Sequence, residues 1–255
     1  MKQGDFSQLA KAYIDRPSYG DLMCDSLLKL VELPHEGIVA DVGAGTGKWT
    51  QQLAEKNCKI IAVEPCDEMR KEGMLYTKDC LNVTWKKGSA EESGLDTAGV
   101  DWVTMASSFH WTDPQKSLPE FHRILKQFGC LTVLYNSRNL ENFPLNKEID
   151  AMIRDMVPGL KRVSSGLQNV KDWSCILVST GHFRDAVFME CSHVEKMSME
   201  RYLNIWNSVN DIRAQAGEEL WRMIMKKIRE KVSSCKDEIM EVPYRIRSWT
   251  VRRVD

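Results

Sequence analysis

One stretch of the chain combines signals that together allow few folds. Residues 38–47 read IVADVGAGTG, an apolar run that ends in an acidic residue and a turn with three glycines. A helical pattern follows, and a second apolar run at 60–63 ends in Glu64. A parallel sheet needs this order of strand, glycine turn, helix and carboxylate-ended strand to hold an adenosine-containing cofactor at its carboxyl edge. The sequence therefore predicts an α/β fold with a cofactor site at that edge.

The spacing of the glycines separates three nucleotide-binding patterns. A dinucleotide fingerprint requires G-x-G-x-x-G, but Lys48 stands at the third glycine position, and Gly47 is one residue early. A phosphate-binding loop requires G-x-x-x-x-G-K-[ST]. Here Trp49 takes the place of the serine or threonine, and Val42 that of the first glycine. The pattern that remains is D-x-G-x-G-x-G, which begins at Asp41.

Apolar runs alternate with helical patterns through the first half of the chain, after a helix at 19–31. This alternation indicates a parallel sheet with helices on both faces and all strand carboxyl ends on one edge. The predicted strands are 38–44, 59–64, 83–87, 100–106 and 130–135, and the predicted helices between them are 48–56, 67–77 and 114–126.

The alternation stops after residue 136. Patterns typical of helices cover 145–157, 199–212 and 218–232, and strand patterns cover 180–194 and 243–254. The segment 163–169 is polar and reads as a turn.

Bulk properties exclude several functional classes. The net charge of −1 gives no general attraction to nucleic acid or membrane. No apolar run approaches the roughly 20 residues of a membrane span, and no apolar segment of a secretory signal follows the first residues. The eight cysteines form no C-x-x-C pair, which argues against a zinc site and favours reduced thiols. We expect a cytoplasmic protein without a bound metal.

Five further segments join the glycine turn in a family resemblance. D-x-G-x-G-x-G resembles motif I of the class I, Rossmann-like S-adenosylmethionine-dependent methyltransferases. Residues 13–19 resemble the family's Y-x-x-R-P-x-Y segment, 88–91 its G-x-A-E segment and 106–111 its A-x-x-x-H-W segment. Residues 120–129 resemble the E-x-x-R-V-L-K-P-G-G helix and turn, and 243–251 resemble the final strand of the sheet. The A-x-x-x-H-W segment is similar to that of a small-molecule subgroup that includes trans-aconitate methyltransferase-like enzymes. Gln127 and Phe128 replace the usual Pro and Gly, so a less tight turn is expected there.

The resemblance implies a seven-stranded, mostly parallel, doubly wound sheet whose last strand is antiparallel, with a helical cap inserted after the fifth strand. It implies a single methyltransferase domain over 1–255. Its parts are an N-terminal lid and helix (1–36), a cofactor-binding core (37–136), a cap and acceptor region with one strand (137–240) and the terminal strand (241–255).

The resemblance also assigns the cofactor, S-adenosyl-L-methionine, which becomes S-adenosyl-L-homocysteine. Asp41 would orient the turn and the amino-acid end of the cofactor, and Glu64 would bind the ribose hydroxyls. Arg16 would pair with the cofactor carboxylate or with an acidic acceptor, or lie in a flexible surface arm. The full set of expected cofactor-binding residues is Tyr13, Arg16, Asp41, Gly43, Ala44, Gly45, Gly47, Glu64, Pro65, Met69, Ser89, Ala90, Glu91, Ala106, Ser107, Phe109, His110 and Trp111.

His110 is the candidate general base, because it follows a strand whose carboxyl end faces the cofactor and its ordinary pKa suits proton transfer. The alternative is that His110 only holds the turn, since a carboxylate acceptor needs no base. Positions 202, 206 and 210 share a helix face that would line an acceptor pocket or pack the cap. The candidate acceptor-binding residues are Tyr19, Trp111, Tyr202, Trp206 and Asn210.

The sequence thus predicts methyl transfer to a small molecule, at a hydroxyl or carboxylate oxygen, by a monomer or homodimer with no nucleic-acid or membrane partner. Three alternatives stay open: a methyltransferase that acts on a tRNA base or a protein side chain, an inactive cofactor-binding regulator, and a nicotinamide oxidoreductase, which Lys48 disfavours. Base methylation is disfavoured because Ala106–Trp111 replaces the N/D-P-P-Y type of segment.

Overall fold

A computed structural model describes residues 9–162, 171–234 and 238–255. These residues form a seven-stranded sheet in the order β3-β2-β1-β4-β5-β7-β6. The strands are β1 (Ile38–Val42), β2 (Lys59–Val63), β3 (Val83–Lys86), β4 (Val100–Ala106), β5 (Leu125–Arg138), β6 (Phe183–Ser198) and β7 (Ile239–Arg253).

The strand order reverses direction beside β1. β1 pairs in parallel with β2 on one side and β4 on the other, and β2–β3 and β4–β5 are also parallel. β7 is antiparallel to both β5 and β6. In such sheets the crevice at the reversal binds ligands, so the turns after β1 and β4 mark the expected site. The mostly parallel, Rossmann-like fold is confirmed.

The helices lie largely where the periodicity predicts them. They are α1 (Ala10–Tyr13), α2 (Asp21–Val31), α3 (Lys48–Glu55), α4 (Asp67–Tyr76), α5 (Pro114–Ile124), α6 (Pro144–Met156), α7 (Ser174–Val178), α8 (Met199–Asn207) and α9 (Asn210–Ser233), with a short 3-10 turn at Phe109–Trp111. Among the described residues no helix combines the length and hydropathy that a membrane crossing requires.

Two predicted boundaries differ most from the structure. The helix expected over 199–212 is divided into α8 and α9, because Val209 is extended (φ −86°, ψ 101°). Gly217 (φ 76°) interrupts α9 next to residue 218, where the following helix was predicted to begin. The fifth strand begins at Leu125, not at 130, with Phe128 at φ 64° inside it. The predicted polar turn at 163–169 lies outside the described residues.

Each face of the sheet has its own apolar core, and the cap has a third. Val39 and Ala40 are neighbours on β1 but lie in different clusters, as the alternation of side chains along a strand requires. α2 and α3 cover the face of Val39, and α5 and α7 cover the face of Ala40. A further cluster joins α6, α8 and α9 to Val242 of β7.

Candidate active site

A cavity of about 540 Å³ lies at the carboxyl edge of the sheet. Its wall includes the glycine turn, the ends of β2, β4 and β5, the segment after β3, the N-terminal segment and part of the cap. Sixteen of the residues predicted for the site border it: Tyr13, Arg16, Tyr19, Gly43, Ala44, Gly45, Glu64, Pro65, Met69, Ser89, Ala90, Glu91, Ala106, Ser107, Trp111 and Trp206.

The glycine turn brings bare backbone to the cavity wall. Gly43 and Gly45 have φ values of 69° and 59°, which suit glycine. The Gly43 N–H donates to the Val63 carbonyl over 2.8 Å and thereby fixes the turn against β2. A Cβ on Gly43 would lie 2.7 Å from the Ser108 side chain. The D-x-G-x-G-x-G spacing therefore reflects a steric need at this position.

Asp41 does not border the cavity, contrary to the expected contact with the cofactor. Its carboxylate is fully buried and accepts hydrogen bonds from the hydroxyls of Thr50 (2.6 Å) and Thr104 (3.1 Å). These bonds tie β1 to α3 and β4 behind the glycine turn. Burial raises the pKa of Asp41 to about 6 although both hydroxyls favour the charged form. Gly47 lies behind the wall as well.

Glu64 lies at the end of β2 and borders the cavity. One carboxylate oxygen accepts from the Gly45 N–H and the other from the Cys66 N–H, both over 2.9 Å. Burial is the main influence and raises the pKa of Glu64, while the two N–H groups act in the opposite direction. A carboxylate has about four lone-pair sites, so each oxygen keeps capacity for a further donor such as a ribose hydroxyl.

The wall beyond Glu64 is apolar with polar ends. The buried side chains of Met69 and Ala90 border the cavity there. The hydroxyl of Ser89 accepts from the backbone N–H groups of Glu91 (3.2 Å) and Glu92 (3.1 Å), which fixes this loop. The expectation that these residues bind the cofactor stays a prediction.

The N-terminal segment closes one side of the cavity through contacts with the cap. The Arg16 guanidinium donates to the Ser208 hydroxyl (2.9 Å) and to the Ser208 carbonyl (3.1 Å), and it lies 4.1 Å from the Tyr13 ring centre. The Tyr19 hydroxyl donates to Ser107 over 2.9 Å. Arg16 is thus held in the wall and does not extend into solvent as a loose surface arm.

The segment after β4 divides between the wall and the interior. Ala106, Ser107 and Trp111 border the cavity, but Phe109 is fully buried, and neither it nor His110 reaches the wall. Burial is the main cause that lowers the pKa of His110 to about 4. The His110 ring packs on Trp111 and Tyr135, with centroid separations of 4.7 and 5.6 Å. Its predicted role as a base therefore has no support from its position.

Of the cap residues predicted to bind the acceptor, Trp206 borders the cavity, whereas Tyr202 and Asn210 do not. Tyr202 is fully buried and its hydroxyl donates to the amide oxygen of Asn146. The helix face predicted over 202–210 fails because α8 ends at Asn207.

Several residues of the cavity wall were not predicted from the sequence. The end of β5 contributes Asn136, Ser137 and Arg138, and the cap and β7 contribute Asn146, Asp150, Arg162 and Tyr244. The three residues of β5 could have been found, because the carboxyl ends of parallel strands meet at one edge. Lys48 also borders the cavity, donates to the Tyr76 hydroxyl over 2.8 Å, and has a pKa lowered by burial to about 8.

Comparison with known proteins agrees with this geometry. Residues 40–133 match the family model described as a methyltransferase domain. An uncharacterized methyltransferase of Mycobacterium tuberculosis is 36% identical over 155 residues, which are 58% of each chain. A methyltransferase-like protein of Schizosaccharomyces pombe is 26% identical over 242 residues, 91% of this chain and 84% of that protein. A 2-methyl-6-phytyl-1,4-hydroquinone methyltransferase of Oryza sativa is 32% identical over 117 residues, 43% of this chain and 34% of that protein.

Solved structures share the fold at low sequence identity. The YcgJ protein of Bacillus subtilis superposes with a TM-score of 0.52 at 15% identity, covering 92% of this chain and all of that one. Geranyl diphosphate C-methyltransferase of Streptomyces coelicolor, in complex with S-adenosyl-L-homocysteine, gives 0.50 at 13% identity over 91% of this chain and 76% of that one.

The sheet has the Rossmann-like methyltransferase fold, and residues 40–133, which include the glycine turn, match a methyltransferase domain. The domain match and the structural neighbour that holds S-adenosyl-L-homocysteine support S-adenosyl-L-methionine as the cofactor. The chain spans only 58% of the length of its mycobacterial relatives, and the match ends at residue 133. The wall contributed by residues beyond 133 lies outside it.

Proposed function

We propose that this protein transfers a methyl group from S-adenosyl-L-methionine to a small-molecule acceptor, at a hydroxyl or carboxylate oxygen. The observation that carries the proposal is the single cavity that joins the glycine turn and Glu64 to the polar wall under the cap. Methyl transfer needs both parts of this cavity, the glycine turn with Glu64 for the cofactor and the polar wall under the cap for the acceptor. The expected division into lid, core, cap and terminal strand, the cytoplasmic location and the monomer or homodimer state stay predictions.

The residues at the first end fit the cofactor. Bare backbone at Gly43 and Gly45 leaves room for an adenosyl group, and Glu64 keeps acceptor capacity for ribose hydroxyls. Two cations in the wall, Arg16 and Lys48, match the carboxylate at the amino-acid end of the cofactor. Arg16 donates to a neutral partner, Ser208, and so keeps its charge available for an anion.

When bound, the cofactor supplies a methyl carbon activated by a positively charged sulfur. The protein has to place an acceptor oxygen in line with the carbon–sulfur bond and to exclude water. Transfer would form a bond from the acceptor oxygen to the methyl carbon and leave the bonding electrons on sulfur, giving S-adenosyl-L-homocysteine. A carboxylate acceptor would release no proton and so would need no base. A hydroxyl acceptor would release a proton, and His110, which does not reach the wall, is not placed to accept it.

A small acceptor agrees with the dimensions of the site. The cavity volume of about 540 Å³ lies within the range of roughly 300–1,000 Å³ typical of small-molecule sites. The plant relative named for a hydroquinone substrate points the same way. The resemblance to trans-aconitate methyltransferase-like enzymes also supports an organic acid or alcohol, and that subgroup remains part of the proposal.

The first test is calorimetric titration of the purified protein with S-adenosyl-L-methionine, S-adenosyl-L-homocysteine and, for comparison, NAD. We expect affinity for both adenosyl ligands near about 10 μM, which corresponds to about −7 kcal/mol, and none for NAD. Glu64→Ala should weaken both by about tenfold or more, because it removes the ribose acceptor and frees two backbone N–H groups.

The matched control is Glu92→Ala, which removes an exposed carboxylate outside the wall and should bind normally. Binding of NAD alone, or equal binding by the Glu64 variant, would contradict the cofactor assignment. Transfer of a labelled methyl group to organic acids and alcohols then tests activity. A protein that binds the cofactor but methylates none of them would favour the regulator alternative.

A further inference from the structure

The cap end of the cavity contains buried polar groups without partners. The amide nitrogen of Asn146, the indole nitrogen of Trp206 and the phenol oxygen of Tyr244 make no hydrogen bond within the described parts of the chain. All three residues border the cavity, and each is less than 5% exposed. A buried polar group left unpaired costs about 1–3 kcal/mol. Three such groups around one cavity point to a ligand that pairs with them.

The chemistry of these groups defines the ligand atoms that suit them. The indole N–H of Trp206 can only donate. The amide oxygen of Asn146 already accepts from the Tyr202 hydroxyl, which leaves the NH₂ group as the unpaired one. The Tyr244 hydroxyl can donate as well. The complementary ligand therefore presents hydrogen-bond acceptors, which are oxygens in most small metabolites.

Arg138 adds a positive charge to the same wall. Its guanidinium lies 4.2 Å from the Trp206 ring centre and 5.4 Å from that of Tyr202. Stacking on two rings holds the planar group without using its N–H donors. Across residues 9–162, 171–234 and 238–255 no carboxylate forms an ion pair with Arg138.

Asp150 is an acidic residue of the same wall, but it does not pair with Arg138. Its carboxylate also borders the cavity but pairs with Arg154 (2.8 Å) and with Arg162 (3.3 Å). Arg162 in turn pairs with the buried Asp211 over 2.9 Å. These four side chains balance one another in charge, so among the described residues Arg138 leaves this end of the cavity with an uncompensated positive charge.

We propose that the methyl acceptor carries a carboxylate, which Arg138 binds while Asn146, Trp206 and Tyr244 donate to its oxygens. The inference rests on the proposed function and narrows its substrate class. A carboxylate matches the planar fork of arginine with two parallel hydrogen bonds. Because these bonds engage its lone pairs, the anchored carboxylate is a weak nucleophile. The methyl group therefore goes to a second oxygen, and the acceptor is a hydroxy acid or a dicarboxylic acid.

The test uses calorimetry on protein that is saturated with S-adenosyl-L-homocysteine. The probes are malate, succinate, 3-hydroxybutyrate and 4-hydroxybenzoate, each beside the neutral compound in which primary amides replace the carboxylates. We expect at least one acid to bind, and to bind about tenfold or more tightly than its amide, a difference of about 1.4 kcal/mol.

Two variants test the residues. Arg138→Met keeps an unbranched side chain on Trp206 and removes the charge, and Asn146→Asp keeps the acceptor for Tyr202 while replacing the donor with a negative oxygen. Each should weaken the acid by about tenfold or more and leave S-adenosyl-L-homocysteine within about threefold of wild type. Arg138→Met should also leave the amide within about threefold, because the neutral compound loses no charge pair. Trp206→Phe, which keeps an aromatic ring but loses the indole N–H, should weaken the acid less. Arg184→Met, at a side chain 63% exposed on β6, is the matched control.

The outcomes separate this inference from the proposed function. If the acids and amides bind equally, if none binds to cofactor-loaded protein, or if acid affinity survives both Arg138→Met and Asn146→Asp, the carboxylate anchor is wrong while the methyltransferase proposal stands. If S-adenosyl-L-homocysteine itself fails to bind wild-type protein, the proposed function fails first. Thermal unfolding of every variant verifies that a lost signal comes from a folded chain.

Discussion

Burial explains the behaviour of two polar residues that frame the site, Asp41 and His110. Both lie close behind the cavity, and neither reaches it. Burial disfavours the charged form of each, so the pKa of Asp41 rises to about 6 and that of His110 falls to about 4. At neutral pH the histidine is therefore uncharged. Its ring packs against Trp111 and so supports that side chain in the wall. The sequence alone does not distinguish a histidine with this packing role from a catalytic one.

The raised pKa of Asp41 predicts a pH-dependent cost to folding. An unfolded Asp has a pKa of about 3.9, so below that value both states are protonated and no cost arises. As the pH rises toward 6, the folded state must give up a proton it holds more tightly, and stability falls. Asp41→Asn removes this effect. The variant should gain up to about 3 kcal/mol relative to wild type between pH 4 and pH 7, at about 1.4 kcal/mol per pKa unit.

Urea denaturation of both proteins at pH 4.5, 6 and 7 measures this difference. Asp101→Asn is the control, because its carboxylate accepts from the Ile38 N–H and pairs with Lys126 nearer the surface. A stability difference between Asp41→Asn and wild type that stays constant over this pH range would show that Asp41 is not protonated in the folded state near pH 6.

At the scale of elements, local sequence patterns predicted the features that depend on one segment alone. They missed helix ends that are fixed by contacts with distant segments. The turn after β1 and the end of β2 follow from glycine geometry and strand alternation alone. The end of α8 does not, because the apolar spacing continues past it. There the Ser208 hydroxyl donates to the Ile205 carbonyl over 2.6 Å and accepts from Arg16, 192 residues earlier. Such a contact leaves no periodic signal, so the acceptor wall was only partly predicted.

The N-terminal segment depends on α8 for its position, and this predicts an effect on cofactor affinity. Arg201 of α8 donates to the carbonyl of Asp15 over 3.1 Å and pairs with Glu195 over 2.7 Å. Arg201→Met should loosen the segment that carries Tyr13 and Arg16. We expect the Kd of S-adenosyl-L-homocysteine to rise about five- to tenfold, about 1 kcal/mol, with faster amide exchange at residues 9–17.

Calorimetry and hydrogen exchange measure the two effects. Arg229→Met, at an exposed position of α9, should change neither. Unaltered affinity in Arg201→Met, despite faster exchange of the segment, would mean that the N-terminal segment covers the cavity without binding the cofactor.

At the scale of the whole molecule, the cavity wall comes from two parts of the chain, and only the first lies within the methyltransferase-domain match. The matched residues 40–133 include the glycine turn, Glu64 and the segment after β4. Arg138, Asn146, Trp206 and Tyr244 lie beyond the match. A shared cofactor end with a distinct acceptor end is expected where one fold serves many substrates. The sequence could therefore predict the cofactor end of the cavity, whereas the acceptor end depends on how the cap packs against β5 and β7.

Because one cavity joins both parts, cofactor binding should stabilise them together. A ligand at about 100 times its Kd adds about 2.7 kcal/mol to folding. At about 2–4 °C per kcal/mol for a domain of this size, S-adenosyl-L-homocysteine should raise the Tm by roughly 5–10 °C. Hydrogen exchange should slow in the glycine turn at 43–47 and also at 205–209, where Arg16 binds the cap. Glu64→Ala at the same ligand concentration should show a much smaller change at both places. Protection limited to the glycine turn would show that the cap folds independently of the cofactor, and the acceptor wall would then be formed without it.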